Sequence, residues 1–201
     1  MTQESTRPAW YRPASVRQVA YDAGWPALYA EEEARLTSAL APDLVSIEHV
    51  GSTAVPGLSS KPIIDILAAV RSWERFGDMV DQLATIGYIY TQHSEADDPG
   101  RRVFRKPSDM SATRTHHLHV TEPDSDYWRR IVAFRNALRA DTSLATEYAA
   151  LKTDLAQRFA HDPNAYTSAK SAFVSRVRRA GTSFTLQTSS QPTKTRSAPW
   201  F

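Results

Sequence analysis

The sequence predicts an α+β fold, in which a mixed β-sheet core with flanking helices is followed by a C-terminal helical cap. Two observations support this fold class. As far as about residue 122, short runs rich in β-branched residues alternate with helical patterns. From about residue 125 to residue 180, apolar residues recur at spacings of three and four, which is typical of helices. The first part therefore predicts the sheet, and the second part predicts the cap.

The chain predicts a single folded domain over residues 19–180, with the sheet core at about 19–122 and the helical part at about 125–180. Its 201 residues, of which 41% are hydrophobic, suffice for one packed core of ordinary size. Residues 1–18 are polar and contain proline, so we expect a flexible N-terminal segment. Residues 181–201 are rich in Ser, Thr and Gln without any period, which predicts a disordered tail.

The first half contains two predicted helices and five predicted strands. The first helix is "WPALYAEEEARLTSAL", whose acidic centre we expect to be exposed. Its apolar stripe consists of Trp25, Leu28, Leu36 and Leu40. Ser72 is the predicted N-cap of a second helix that runs to Gly87. The five strands are "LVSIEHV", "PIIDILAAV", "YIYT", "RVFRK" and "THHLHV".

Two features of these strands are informative about the sheet. The run "PIIDILAAV" is apolar on both faces, which predicts a fully buried strand. The segment "PSDMSATRT" has the length of a hairpin connection between the last two strands.

Three helices are predicted in the second half. The first carries an apolar stripe of Tyr127, Ile131, Phe134 and Leu138. The second carries Leu144, Tyr148, Leu151, Leu155 and Phe159. Asp162 is the predicted N-cap of the third, with Pro163 at the first helical position. One face of this last helix combines Tyr166, Lys170, Phe173 and Val177.

The composition narrows the class of protein. With no cysteine, the chain has no disulfide, thiolate metal site or cysteine nucleophile. It has no apolar run of membrane-spanning length and no apolar signal-peptide segment, so we expect a cytoplasmic protein without a membrane partner. The formal net charge of +2 argues against nucleic acid as the partner. A small-molecule substrate or a nucleotide is the expected partner, and the oligomeric state is left open.

Two polar features near residue 60 lie beside or within the predicted strands. Gly51, Ser52 and Thr53 follow a strand, and backbone N–H groups with two hydroxyls suit the binding of a phosphate. An ordinary turn is the alternative interpretation. Asp65 lies in the middle of the buried strand, where a carboxylate must be paired or bind a cation. We interpret Asp65 as a divalent-metal ligand rather than as the partner of Lys61 or an arginine.

The motif "HHLHV" places His117 and His119 on one strand face, while Leu118 and Val120 face the core. Two imidazoles at this spacing could bind a metal, or could be a proton-transfer group and its neighbour. Two solvated surface histidines are the alternative.

The pattern Y-x-x-x-K occurs twice in the helical cap, in "YAALK" and "YTSAK". Lys152 flanks the apolar stripe of its helix. We expect the aliphatic part of its side chain to lie along that stripe, with the ammonium group in water. Lys170 lies in the centre of a stripe, which favours a cleft where an anionic ligand neutralises it. Tyr148 and Tyr166 would line this cleft. Among the arginines, Arg102 is a candidate phosphate contact.

Six segments carry a family resemblance: "YDAGW", "IEHVGSTAVPGLSSKPIIDILAAV", "HHLHV", "AFRNALR", "YAALK" and "YTSAKSAF". With these segments, the chain resembles the GrpB-like family from about Val19 to Ala180. That family is similar in fold to the nucleotidyltransferase superfamily, with its polymerase-beta-like core. The resemblance implies a triphosphate near Gly51 and Ser52 and a divalent metal on Asp65. Members of the family also occur fused behind dephospho-CoA kinases, which points to nucleotide-related chemistry.

The sequence departs from the superfamily pattern at the metal site. Leu67 occupies the position of the second acid, and His119, with His117 beside it, occupies the position of the third. One aspartate with histidines suits a single metal, and favours Mn, Zn or Ni over Mg.

The leading hypothesis is a metal-assisted nucleotidyltransferase-like enzyme that uses a nucleoside triphosphate to modify a small molecule. The metal would be held by Asp65 with His117 and/or His119. The phosphates would be held by Gly51, Ser52, Thr53, Lys61, Arg102, Lys152 and Lys170. A second hypothesis is a non-catalytic module that binds a nucleotide, coenzyme or other anion. A third is another group-transfer enzyme with His119 as general base.

Overall fold

The protein consists of a β-sheet with helices packed against it, seen in a computed structural model that describes residues 18–91, 99–109 and 113–177. Five strands form one sheet, in the order β1-β2-β5-β4-β3. The strands are β1 (Leu44–Val50), β2 (Ile64–Val70), β3 (Ile89–Tyr90), β4 (Arg101–Lys106) and β5 (His116–Thr121). Strands β2 and β5 are parallel and the other neighbours are antiparallel, so the predicted mixed sheet is confirmed.

In the described residues, five named α-helices and one further helical segment accompany the sheet. The named helices are α1 (Trp25–Leu40), α2 (Phe76–Thr85), α3 (Asp126–Ala140), α4 (Thr142–Arg158) and α5 (Pro163–Ala169). Residues 171–177 are also helical. The predicted α+β class is therefore confirmed, with the strands in the first part and the cap helices in the second. Within the described residues, no helix combines the length and hydrophobicity needed to cross a membrane.

The main core lies between one face of the sheet and helices α1 and α2. Ile66 of β2 and Leu118 of β5 pack there with Leu36 of α1 and Leu83 of α2, and all four side chains are fully buried. On the other face, α3 packs Tyr127 against Leu67 of β2. Strand β2 is covered on both sides, which explains its continuous apolar run.

The prediction that the acidic centre of α1 is exposed is wrong at Glu32. Glu32 is only 3% exposed, whereas the predicted stripe residue Leu28 is 46% exposed. The Glu32 carboxylate accepts hydrogen bonds from the Lys106 ammonium on β4, with both oxygens 2.9 Å from Nζ. A carboxylate paired in this way can occupy a core position, and no local pattern reveals a partner 74 residues away.

Two helix boundaries also differ from the prediction. Helix α2 begins at Phe76 with Arg75 at the N-cap, and Ser72 instead accepts a weak bond from the Glu74 backbone at 3.4 Å. Lys170 lies in a turn between two helical segments and not in mid-helix. The predicted cap Asp162 is confirmed, because its side chain accepts a hydrogen bond of 3.0 Å from the Ala165 backbone.

The predicted hairpin is confirmed by the antiparallel pairing of β4 with β5, although residues 110–112 of its loop lie outside the described residues. The predicted tail over 181–201 also lies outside them, as does the N-terminal segment except for Gln18.

Candidate anion-binding site

The site is built around the close approach of Gly51 to Asp65. Strand β1 ends at Val50, whose Cα is paired with that of Asp65 on β2. Gly51 follows with a φ of 71°, a conformation that L side chains rarely adopt. A Cβ atom at Gly51 would lie 2.3 Å from Oδ2 of Asp65. Glycine is therefore required both for the turn and for the space that the carboxylate occupies.

Asp65 is paired with His117 across the parallel strands β2 and β5. The distance from Nδ1 of His117 to Oδ1 of Asp65 is 3.3 Å, and the Asp65 side chain is 31% exposed. Burial acts to raise the pKa of the Asp65 carboxyl. The hydrogen bond and charge of His117, with the charges of His119 and Lys170, outweigh that effect and hold the pKa below its ordinary value. Asp65 is thus an anion that a ligand can reach.

His119 lies next to this pair on β5 and is held by Tyr127 of α3. Nδ1 of His119 lies 3.1 Å from the Tyr127 hydroxyl, and Arg101 donates to the same hydroxyl oxygen at 3.2 Å. Burial lowers the pKa of His119 to about 4, so the ring is neutral at pH 7. Because Tyr127 accepts from Arg101, we expect its own hydrogen to bond to Nδ1, an arrangement that would place the ring hydrogen of His119 on Nε2. In this tautomer His119 offers an N–H donor to the site.

Lys152 reaches the Gly51–Ser52 turn from α4. Its Nζ donates to Ser52 Oγ at 3.1 Å and to the carbonyl oxygen of Ser59, and it lies 4.9 Å from the centre of the Tyr148 ring. The residue is only 2% exposed, so the predicted solvent-exposed ammonium is wrong. Burial, with the nearby charge of Lys170, lowers the pKa of Lys152 to about 7.

Two further lysines lie over the ring of Tyr166. The Nζ atoms of Lys61 and Lys170 are 4.7 Å and 4.3 Å from its centroid. Burial and the charge of Lys61 lower the pKa of Lys170 to about 8, against the opposing effect of Asp65. Burial also lowers the pKa of Lys61, again opposed by Asp65. Lysines from three separate segments therefore share one region in which their charge is poorly compensated.

The structure brings most of the predicted site residues together, with two exceptions. Arg102 lies on the opposite face of the sheet, where its guanidinium is 5.0 Å from the Trp73 ring centroid and 5.5 Å from that of Phe76. Thr53 is buried, and its hydroxyl bonds to His49 Nε2 at 3.0 Å and to the Ile63 carbonyl at 3.3 Å. Tyr148 and Tyr166 do lie in the site, and each has a lysine ammonium over its ring.

Three residues around the site were not predicted from the sequence. The sequence pattern places Tyr127 only in an apolar stripe, and it does not single out Arg101. His49 stands in "IEHVGST" directly before the turn, and a histidine inside a short strand was the one signal that could have drawn attention to it.

The arrangement can bind an anion, since Lys152 contacts the Ser52 hydroxyl and Lys61 and Lys170 add up to two further positive charges over Tyr166. Its capacity for a metal is smaller. Within the described residues there is no group of three His, Asp or Glu side chains placed to hold a metal ion. Asp65 and His117 supply two donors, so a divalent ion here would need oxygen ligands from a bound phosphate or from water.

Comparison with known proteins relates this sequence to one family. Residues 15–180 match the family described as GrpB protein. The chain is 34% identical over 163 residues to the glutamate-rich protein GrpB of Alkalihalophilus pseudofirmus, covering 79% of this chain and 91% of that protein. It is 28% identical over 177 residues to a dephospho-CoA kinase of Mycolicibacterium paratuberculosis, covering 78% of this chain and 44% of the kinase. The crystal structure of the conserved protein GrpB from Enterococcus faecalis is similar, with a TM-score of 0.76 and 33% identity over 85% of this chain and 99% of that one.

Proposed function

The chain belongs to the GrpB family, and we propose that it is a metal-assisted transferase on a nucleotidyltransferase-like fold, which uses a nucleoside triphosphate to modify a small molecule. The observation that carries this proposal is that Lys152 contacts Ser52, while Lys61 and Lys170 lie together over Tyr166 and interact electrostatically with Asp65. A triphosphate matches such a site in charge and in its number of acceptor oxygens.

The electrostatics support a polyphosphate in preference to a single carboxylate ligand. In the described residues, Asp65 is the carboxylate whose charge acts on Lys61 and on Lys170. One carboxylate cannot balance three ammonium groups, and a bound polyphosphate would restore the ordinary protonation of the lysines. The name dephospho-CoA kinase, carried by one relative, agrees with a nucleotide-related role.

Asp65 and His117 are the residues that would hold a divalent metal, which would offset negative charge on the phosphate that is transferred. Lys152 and Ser52 would position the terminal phosphates of the donor, and His119 would donate its Nε2–H to a ligand oxygen. In the transfer, the acceptor would attack the α-phosphorus and lose its proton to solvent, while the bond from the α-phosphorus to the bridging oxygen would break and that oxygen would leave with pyrophosphate.

Two observations favour other functions for the same site. Leu67 is fully buried against Val50 and Tyr127 at the position of a second acid, which favours a module that binds the nucleotide without turnover. In a neutral His117 ring, the hydrogen bond from Nδ1 to Asp65 would leave Nε2 as a proton acceptor, which favours metal-independent group transfer. In that reaction the general base would be His117 if Nε2 of His119 carries the ring hydrogen, and His119 if Nδ1 carries it.

The test is isothermal titration of ATP, GTP, CTP and UTP with Mg²⁺, Mn²⁺ or Zn²⁺, followed by assay of pyrophosphate release. We expect one nucleotide to bind with metal dependence, and Asp65→Asn to lose that dependence while still folding. Saturable binding without pyrophosphate release would favour the binding module. Turnover that persists in EDTA would favour His117 as base, and no binding of any nucleotide would refute the proposal.

A further inference from the structure

A second cleft lies at the outer edge of strand β1, separate from the lysine site. It encloses about 440 Å³ between α1, β1, α3 and residues 53–56, which is within the range of about 300–1,000 Å³ typical of small-molecule sites. Residues 51–56 separate the two sites. Ser52 accepts the hydrogen bond of Lys152 on one side, whereas Thr53, Ala54 and Pro56 line the cleft on the other.

One wall of the cleft is flat and held in place. The rings of Tyr29 and His49 stack with centroids 4.7 Å apart and planes within 5°. His49 is 7% exposed and its Nε2 is bonded to Thr53 Oγ1 at 3.0 Å. With Tyr21 and Pro26 also lining the cleft, this wall suits a planar or apolar group.

Two of the four charged residues in the cleft neutralise each other. Arg135 is 7% exposed, and its NH1 donates to Glu48 Oε2 at 2.6 Å and to the His49 carbonyl at 2.7 Å. This pair therefore fixes the wall and has little capacity left for a ligand charge.

The other two charged residues are a carboxylate and a guanidinium that are not paired with each other. Nε of Arg139 donates to the Ala54 carbonyl at 2.8 Å, which orients the guanidinium. Across residues 18–91, 99–109 and 113–177, its terminal nitrogens have no hydrogen-bond partner and Glu33 has no ion-pair partner. Glu33 accepts the Tyr29 hydroxyl hydrogen at 2.9 Å, so it too is oriented while retaining its charge.

We propose that this cleft binds a small zwitterion with a flat apolar body, of the class of an aromatic amino acid. Its carboxylate pairs with the terminal nitrogens of Arg139, its ammonium group pairs with Glu33, and its body packs against Tyr29. The site does not depend on the nucleotide proposed for the lysine site.

The test uses three probes that share an indole body and differ in their charged groups. They are L-tryptophan, tryptamine, which lacks the carboxylate, and indole-3-propionate, which lacks the amine. Binding is followed by titration calorimetry on wild type, Arg139→Met and Glu33→Gln. We expect tryptophan to bind about tenfold more weakly or worse to each variant. Tryptamine should respond only to Glu33→Gln, and indole-3-propionate only to Arg139→Met.

Matched controls are Arg129→Met, which removes an exposed arginine from the same helix, and Glu31→Gln, which removes an exposed carboxylate from α1. Equal losses in the controls would overturn the proposal. So would failure of tryptophan and of every other proteinogenic amino acid to bind wild type. Loss of tryptophan binding in Lys152→Met, with Arg139→Met unaffected, would place the ligand in the lysine site and overturn it as well.

Discussion

The ammonium group of Lys152 donates a hydrogen bond of 3.1 Å to the hydroxyl of Ser52, a residue one hundred positions earlier in the chain. This bond joins helix α4 of the cap to the turn that follows strand β1. A lysine in such a position loses its hydration, and the fall of its pKa to about 7 reflects the cost of that burial. The free protein thus holds a charge that a bound anion would stabilise.

Replacing Lys152 with methionine should raise the stability of the free protein while lowering its affinity for a nucleotide. Removal of a poorly compensated buried ammonium group should raise the free energy of unfolding without ligand by about 1–3 kcal/mol. The affinity for a nucleotide should fall by about tenfold or more, since a charged hydrogen-bond donor is lost. Urea denaturation and titration calorimetry would measure the two effects.

Lys106→Met is the matched control for that substitution. Lys106 is also largely buried, but it is paired with Glu32 on the other face of the sheet. Its removal leaves the buried Glu32 carboxylate with the exposed guanidinium of Arg35, 3.7 Å away, as its ion-pair partner. The substitution should therefore cost up to about 3–5 kcal/mol, with nucleotide affinity unchanged. If both lysine variants lost stability equally, Lys152 would be an ordinary structural lysine.

Gly51→Ala should damage both the fold and the site. The new Cβ would meet Oδ2 of Asp65 at 2.3 Å and the backbone would be strained at a φ of 71°. Gly57→Ala has a similar φ of 77° with nothing within 4 Å, so it should show only the backbone strain of about 1–2 kcal/mol. Gly51→Ala should cost more than this and should also weaken metal-dependent binding. Equal losses for the two variants would show that Asp65 does not need this space.

Anion binding should be accompanied by proton uptake at pH 8. The pKa values of Lys152, about 7, and of Lys170, about 8, leave both lysines partly neutral at that pH. A bound polyphosphate raises both pKa values, so protons are taken up and affinity falls as pH rises above about 7. Calorimetry in buffers of different ionisation enthalpy would measure the uptake, which Lys152→Met should reduce. A binding heat that is independent of the buffer would contradict the assignment.

The same shift predicts how stability depends on pH. The pKa of Lys152 is about 7 in the folded chain, whereas in the unfolded chain the lysine has its ordinary pKa of 10.5. Between these two pH values the unfolded chain therefore binds more protons than the folded chain. Lys152 therefore makes stability rise with pH across that window and adds no slope below about pH 7. Comparison of urea denaturation at pH 7 and pH 9 for wild type and Lys152→Met would isolate this contribution. A pH slope that is unchanged in the variant would contradict it.

Tyr127→Phe should change the tautomer of His119. Without the hydroxyl that lies 3.1 Å from Nδ1, the neutral ring is no longer held as the Nε2–H form and should populate the Nδ1–H form. Long-range ¹H–¹⁵N correlation spectra distinguish the two forms directly. Tyr148→Phe is the control, since that ring packs on Phe173 away from His119. A wild-type spectrum of the Nδ1–H form would refute the assignment.

Local patterns in the sequence were sufficient to predict most of the elements. Helix α1 occupies the predicted residues, and β1 is the predicted "LVSIEHV". The alternation of "HHLHV" also correctly placed Leu118 and Val120 in the core, because side chains alternate strictly along a strand. The failure at Ser72 has a local cause too, since its hydroxyl accepts from the Glu74 backbone within a turn that precedes the helix.

The sequence by itself determined the α+β class, the positions of the strands and the family. Only the tertiary structure decided which charges are buried together. Glu32 and Lys152 are both at core positions, and their partners are 74 and 100 residues away. The energy of a buried charge depends on the groups packed around it, and those groups come from other elements. Local periodicity therefore predicts where a side chain points, whereas its ionisation and its ligand depend on contacts that form only when elements distant in the sequence pack together.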